Sequence, residues 1–142
     1  MAKITVDQFN KIAAERLPFS RQMGFELEEI LADSVLMRAQ YNDDYLRPGG
    51  TISGPVMMGL ADAAMYALVL SKIGPVELAV TTSLNINFVR KPAPGDILAR
   101  ATPIKIGKRL AVGEIALYSS DSVDGALVAH ATATYSIPPV SA

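Results

Sequence analysis

Hydrophobic and polar positions change their period three times along the chain. Between Met1 and Leu17 the residues are polar or charged at intervals, while Val6, Phe9, Ile12 and Ala13 recur at helical spacing. This predicts a short amphipathic helix over about residues 5–17, capped by Thr5 or Asp7 and stopped by Pro18. From Phe25 the period shortens toward two. Phe25 to Ile30, a turn at Ala32-Asp33-Ser34, and Val35 to Ala39 predict an antiparallel hairpin. Asn42 to Gly54, with Asp43, Asp44, Pro48, Gly49 and Gly50, predicts a loop.

Residues 55–72 then predict the main helix. Pro55 suits its first position, where a missing N–H costs nothing, and Ser53 or Gly54 can cap it. Gly74-Pro75 ends it. The helix is apolar nearly all round, and such a helix is surrounded by protein. Asp62, the small residues and the lack of interfacial flanks argue against a membrane span.

The second half predicts four long strands: Leu78 to Val89, Ile97 to Ile106, Leu110 to Tyr118 and Leu127 to Ile137. Turn regions at Arg90 to Asp96, Gly107-Lys108-Arg109 and Ser119 to Gly125 separate them. In the first strand, Thr82, Leu84, Ile86 and Phe88 share one face. Thr81, Ser83, Asn85, Asn87 and Val89 share the other. The layered solution is α+β: a curved antiparallel sheet of five to six strands wrapped around one long central helix. A sheet edge and a greasy helix would remain open in a monomer, so a homodimer is expected.

Composition narrows the chemistry. The 142 residues fit one domain, 1–142. With 50% hydrophobic and 19% charged residues the chain is not disordered. Lys and Arg number 13 against 14 Asp and Glu, so the basic excess of a nucleic-acid binder is missing. Cys is absent and His130 is the single histidine, which excludes disulfides, thiolate metal sites, a Cys nucleophile and a multi-histidine metal site within one chain. No Walker or Rossmann glycine pattern is found. Nothing near the start reads as a signal peptide, and a soluble, cytoplasmic protein is expected. The remaining chemistry uses carboxylates, hydroxyls, Arg or Lys, and backbone dipoles.

The segment from Arg47 to Asp62 concentrates these groups. The N–H of Gly54 lies at a helix N-terminus, where anions and developing negative charge are favoured, and no side chain obstructs approach. Asp62 is the only charged residue between Arg47 and Lys72. A carboxylate in an apolar helix is costly unless paired or hydrogen-bonded, which marks it as a base or nucleophile. The alternative is a structural bond to a backbone N–H across a subunit contact.

These residues resemble the hotdog-fold thioesterases, in the branch of the phenylacetate-pathway (PaaI-like) acyl-CoA thioesterases. That family carries Asn or Gln, then His-Gly-Gly, then a helix with Asp or Glu eight positions beyond the first glycine. Gly54 and Asp62, followed by Ala63-Ala64, keep that spacing. Val80 to Leu84, Asn87 to Ala93, Pro94-Gly95-Asp96, Gly107-Lys108-Arg109 and Gly125 to Ala129 are similar to later family segments. The resemblance implies that Gly54 N–H polarises a thioester carbonyl and that Asp62 activates water or attacks directly. Free acid and coenzyme A would result, with no cofactor beyond the coenzyme A of the substrate. It places the acyl group along the central helix, between two subunits of a dimer or a dimer of dimers, with Thr82, Asn85 and Asn87 as polar neighbours. The other reading of those three is ordinary strand residues on a wet face.

The chain departs from the family where Ser53 replaces His, Pro55 the second Gly, and Arg47 the amide residue. Ser53 can still cap the helix, and Arg47 can meet a carboxylate or a coenzyme A phosphate. Tyr66, one turn after Asp62, stands where a small or hydroxyl residue is expected and narrows the acyl slot. Arg90, Lys91, Lys105, Lys108 and Arg109 cluster near strand ends and can meet coenzyme A phosphates or form a solvated rim. Three functions stand side by side: an acyl-CoA thioesterase, a non-catalytic hotdog protein binding acyl-CoA or an aromatic acid, and a hotdog hydratase or dehydratase. The last normally pairs His with a carboxylate, and His130 lies in a different segment from Asp62.

Overall fold

The computed structural model describes residues 1–120 and 126–139, so most of the polar loop expected over Ser119 to Gly125 lies outside the described residues. Helix α1 spans Val6–Arg16. Thr5 caps it through a reciprocal box: its hydroxyl accepts from Gln8 N at 3.1 Å, and its own N–H donates to Gln8 Oε1 at 2.8 Å. Pro18 ends α1 and also opens a second helix, α2 (Pro18–Met23), which Gly24 closes with φ of 70°.

Strands β1 (Phe25–Leu31) and β2 (Ser34–Ala39) form the expected hairpin. The segment read as loop contains a 3-10 turn at Asp43–Tyr45 and a small hairpin of β3 (Leu46–Arg47) and β4 (Thr51–Ile52). Helix α3 runs Gly54–Ile73, with Ser53 at its cap position and Pro55 second rather than first. The Ser53 side chain makes no capping bond; its backbone N–H donates to Tyr45 O at 2.9 Å. Strands β5 (Val80–Phe88), β6 (Ile97–Ile106), β7 (Leu110–Ser119) and β8 (Leu127–Ser136) follow. The main sheet has 6 strands in the order β1-β2-β6-β7-β8-β5, with every pairing antiparallel.

The sheet curls round α3. By length and composition α3 could cross a membrane, but 67% of its apolar window is buried inside the protein. Leu60, Ala64, Met65, Leu68 and Val69 are fully enclosed, facing Ala99, Ala101, Ala111, Ile115 and Ala131 of the strands. Small residues on the sheet let the helix approach closely. At Gly113 a Cβ would stand 2.7 Å from Met65 Sδ and 3.0 Å from Thr102 O, so the glycine is required by contact.

Only part of the helix escapes. Pro55, Met58, Gly59 and Asp62 lie on one stripe at i, i+3, i+4 and i+7, and none of them is buried. The two sheet edges also differ. The edge of β1 is occupied by Asn10 of α1, whose amide donates to Leu27 O and accepts from Leu27 N, each at 3.0 Å. The edge of β5 has no neighbouring strand among the described residues and is flanked by exposed Val80, Phe88 and Val89. A long edge with apolar flanks is a template for pairing with another chain.

Candidate active site

Asp62 sits in the middle of α3, on the exposed stripe. Its Oδ1 accepts from Thr81 Oγ1 at 2.6 Å and from Tyr135 Oη at 2.8 Å; Tyr135 Oη also lies 3.1 Å from Asp62 O. Thr81 and Tyr135 face one another across the β5–β8 ladder. Burial, and then the negative charge of Asp62, push the Tyr135 phenol far above its ordinary range, so it stays protonated and donates.

Asp62 opens into a cavity of about 370 Å³ bounded by the α1–α2 junction, the α3 stripe and the start of β5. Leu17, Pro18, Phe19, Ala63, Ala79 and Val80 give it apolar walls. Tyr66 lines the same cavity. Its hydroxyl donates to Glu77 O at 3.0 Å, and its ring lies 6.1 Å from that of Tyr135.

The resemblance offers Thr82 as a polar neighbour of the acyl group, but Thr81 is the one that reaches Asp62. A bulge between Thr81 and Ser83 leaves Thr82 without a ladder partner and shifts the parity of the strand. Thr81 therefore shares the inner face with Leu84 and Ile86. Asn85 and Asn87 pair with Thr132 and His130 on the outer face, exposed and away from the helix, so one chain does not bring them to Asp62. His130 itself lies 3.6 Å from Glu114 on that outer face.

Gly54 lies elsewhere. As the first residue of α3 it presents an N–H with no intrahelical acceptor, and Pro55 beside it has none to offer. The ring of Phe88 covers Gly54 closely: a Cβ there would stand 3.3 Å from Phe88 Cζ. Gly54 and Pro55 line a second groove, of about 770 Å³, with Arg47, Arg90 and Lys91 around it. Thr51 Oγ1 donates to Pro92 O at 2.8 Å and ties the two walls together. Three cations and a helix N-terminus make this groove suited to an anion. Ser53 is not among its lining residues. Lys108 and Arg109 are at the opposite end of β5, where Arg109 Nε donates to Ile137 O, and do not join this cluster in one chain.

Within one chain, then, the two central groups do not meet. Eight residues of helix put them about 12 Å apart along the axis, in different pockets. Among the described residues, no three His, Cys, Asp or Glu side chains come together as a metal site would require.

Comparison with known proteins gives a consistent result. The family described as the Thioesterase superfamily matches residues 49–126, more than half of the chain. The crystal structure of a candidate thioesterase from Silicibacter sp. TM1040 superposes with a TM-score of 0.86 and 42% identity, covering 98% of this chain and 95% of that one. A mutant structure of the phenylacetic acid degradation protein PaaI from Thermus thermophilus gives 0.73 and 25% identity, covering 85% and 99%. A candidate esterase of Thermoplasma acidophilum is 27% identical over 119 residues, 84% of this chain and 87% of that protein.

Proposed function

The chain belongs to the thioesterase superfamily, with the hotdog fold, and from that premise we propose that it hydrolyses acyl-CoA thioesters to free acid and coenzyme A. The observation that carries this reading is Asp62: a carboxylate anchored by Thr81 and Tyr135 that opens into a largely apolar cavity, with Arg16 and Glu77 at its edge, on the exposed stripe of α3.

The working site needs two copies of the chain. Gly54 lies under Phe88 at one end of β5, and Asp62 is bonded to Thr81 at the other end. Antiparallel pairing of β5 with β5 of a second copy brings the Phe88 end of each beside the Thr81 end of its partner. Gly54 of one copy then approaches Asp62 of the other, and a symmetric dimer holds two such sites. The acyl group occupies the cavity at Asp62, and the coenzyme A phosphates meet Arg47, Arg90 and Lys91 around the Gly54 groove. A pair of dimers and a cytoplasmic location complete the proposal.

The chemistry follows from these groups. Asp62 accepts a proton from water as the water oxygen bonds to the thioester carbonyl carbon. The negative charge that develops on the carbonyl oxygen meets the Gly54 N–H at the positive end of α3. The C–S bond then breaks, and the sulfur leaves with its electron pair and takes the proton from Asp62.

The test is a panel of short, branched, long and aromatic acyl-CoA thioesters with the native protein and with Asp62→Asn. An Asn carbonyl still accepts from Thr81 and Tyr135, so the fold is kept while the base is removed. The expected result is hydrolysis by the native protein and a loss of about 10²–10⁴-fold in the variant. An unchanged rate in the variant contradicts this mechanism. The replacements at Ser53 and Pro55 favour a second reading, a protein that binds acyl-CoA without turning it over. Tight binding with no hydrolysis across the whole panel would select that reading.

A further inference from the structure

The geometry points to Tyr135 as a positioning residue, which together with Thr81 fixes Oδ1 of Asp62 and leaves Oδ2 as the oxygen that works on the substrate. The inference rests on the thioesterase reading of Asp62. Both hydroxyls donate to the same oxygen, Thr81 at 2.6 Å and Tyr135 at 2.8 Å, and two donors fill its lone-pair sites. Among the described residues no donor reaches Oδ2. The torsion that turns a carboxylate is broad, so one donor would leave the group free to swing.

Tyr135 is well placed to stop this. It is 3% exposed, it is paired on both sides by Thr81 of β5 and Ala111 of β7, and its ring lies near that of Tyr66. Its hydroxyl also lies 3.1 Å from the backbone oxygen of Asp62, so one group addresses both the helix position and the carboxylate. Burial keeps the phenol protonated, which makes it a constant donor. Thr81 alone comes from the open edge strand, whereas Tyr135 comes from an interior one.

Tyr135→Phe retains the ring and its packing and deletes only the bond. The experiment combines steady-state kinetics of this variant, Thr81→Val and Thr81→Ser with crystal structures of the native protein and Tyr135→Phe. The expected result is a fall in kcat of about tenfold or more for Tyr135→Phe and Thr81→Val, with KM within about twofold and Thr81→Ser close to native. The Asp62 carboxylate is expected in one orientation in the native crystal and turned or split in Tyr135→Phe. Native kcat in Tyr135→Phe, in a protein that needs Asp62 for hydrolysis, overturns the inference and leaves the thioesterase reading standing. Absence of hydrolysis by the native protein overturns the thioesterase reading instead. In that case the crystals decide: a turned carboxylate supports the positioning role, and an unmoved one overturns it.

Discussion

Gly54 and Asp62 stand eight positions apart on one helix and open into different pockets. The separation is fixed by the rise of the helix, and no side-chain motion removes it. Each residue is tied to a different end of β5, Gly54 through Phe88 and Asp62 through Thr81. On the proposed reading, one chain carries half of each of two sites and completes neither alone. The same elements that separate the halves, the open β5 edge and the exposed stripe of α3, are the surfaces a second copy would cover.

The groove at Gly54 is expected to read the coenzyme A part of the substrate. Replacing Arg90 and Lys91 by Ala should raise KM for an acyl-CoA about tenfold, as charge-assisted bonds to phosphate are lost. The same acyl group on N-acetylcysteamine lacks phosphates, and its KM should not change. Equal effects on both substrates would remove the phosphate role of this groove.

Gly113 tests the packing of helix on sheet. In Gly113→Ala the new Cβ meets Met65 Sδ at 2.7 Å and the Thr102 carbonyl at 3.0 Å. The methionine end can shift but the carbonyl cannot, so a loss of about 1–3 kcal/mol is expected. Thermal unfolding should show Tm lower by several degrees, with partial recovery when Met65→Leu is added. An unchanged Tm would mean that the helix stands further from the sheet.

Tyr135 gives the fold a dependence on alkaline pH. Its phenol is raised by burial first and by the charge of Asp62 second. Above the ordinary phenol value near 10 the unfolded chain gives up this proton while the folded chain keeps it. Stability is therefore full below about pH 10 and falls as pH rises beyond it, by at most about 1.4 kcal/mol per pH unit for one group. Burial also raises Tyr45 and Tyr66, so the native protein alone does not isolate the effect. Urea unfolding at pH 8 to 11 should show a shallower decline for Tyr135→Phe than for the native protein. Parallel declines would show that Tyr135 ionises as readily in the fold as outside it.

The architecture is legible in the sequence because three long strands alternate over ten residues each and α3 is an unbroken, nearly all-apolar run between Pro55 and Gly74-Pro75. The expected boundaries of the β1–β2 hairpin and of α3 also lie close to the observed ones. The six residues of α2 are too few to show a period, and Pro18 reads only as a stop although proline also starts helices. Alternation groups Thr82, not Thr81, with Leu84 and Ile86 because a bulge is invisible to a pattern of period two; one extra residue moves Thr81 to the inner face. Asn85 and Asn87 alternate with Leu84 and Ile86, so the period itself sets them on the outer face; only the resemblance offers them as neighbours of the acyl group. Tyr135 does not stand out among the residues of its strand, since only the β5–β8 register sets it opposite Thr81. Lys108 and Arg109 read as part of one cationic group because spacing along the chain does not reveal which end of a sheet a turn occupies.

The central claim is that Gly54 and Asp62 act across two copies of the chain. It is tested most directly by joining two inactive variants, Asp62→Asn and Gly54→Val, the latter setting a branched side chain against Phe88 and over the N–H. The two are co-expressed with different tags, and the hybrid dimer is isolated on both. One site of that hybrid combines the intact Gly54 of the first variant with the intact Asp62 of the second, and the other site lacks both. The expected thioesterase activity is about half that of the native dimer, from one working site of two. A hybrid as inactive as its parents would show that both residues must lie on the same chain, and would contradict the account.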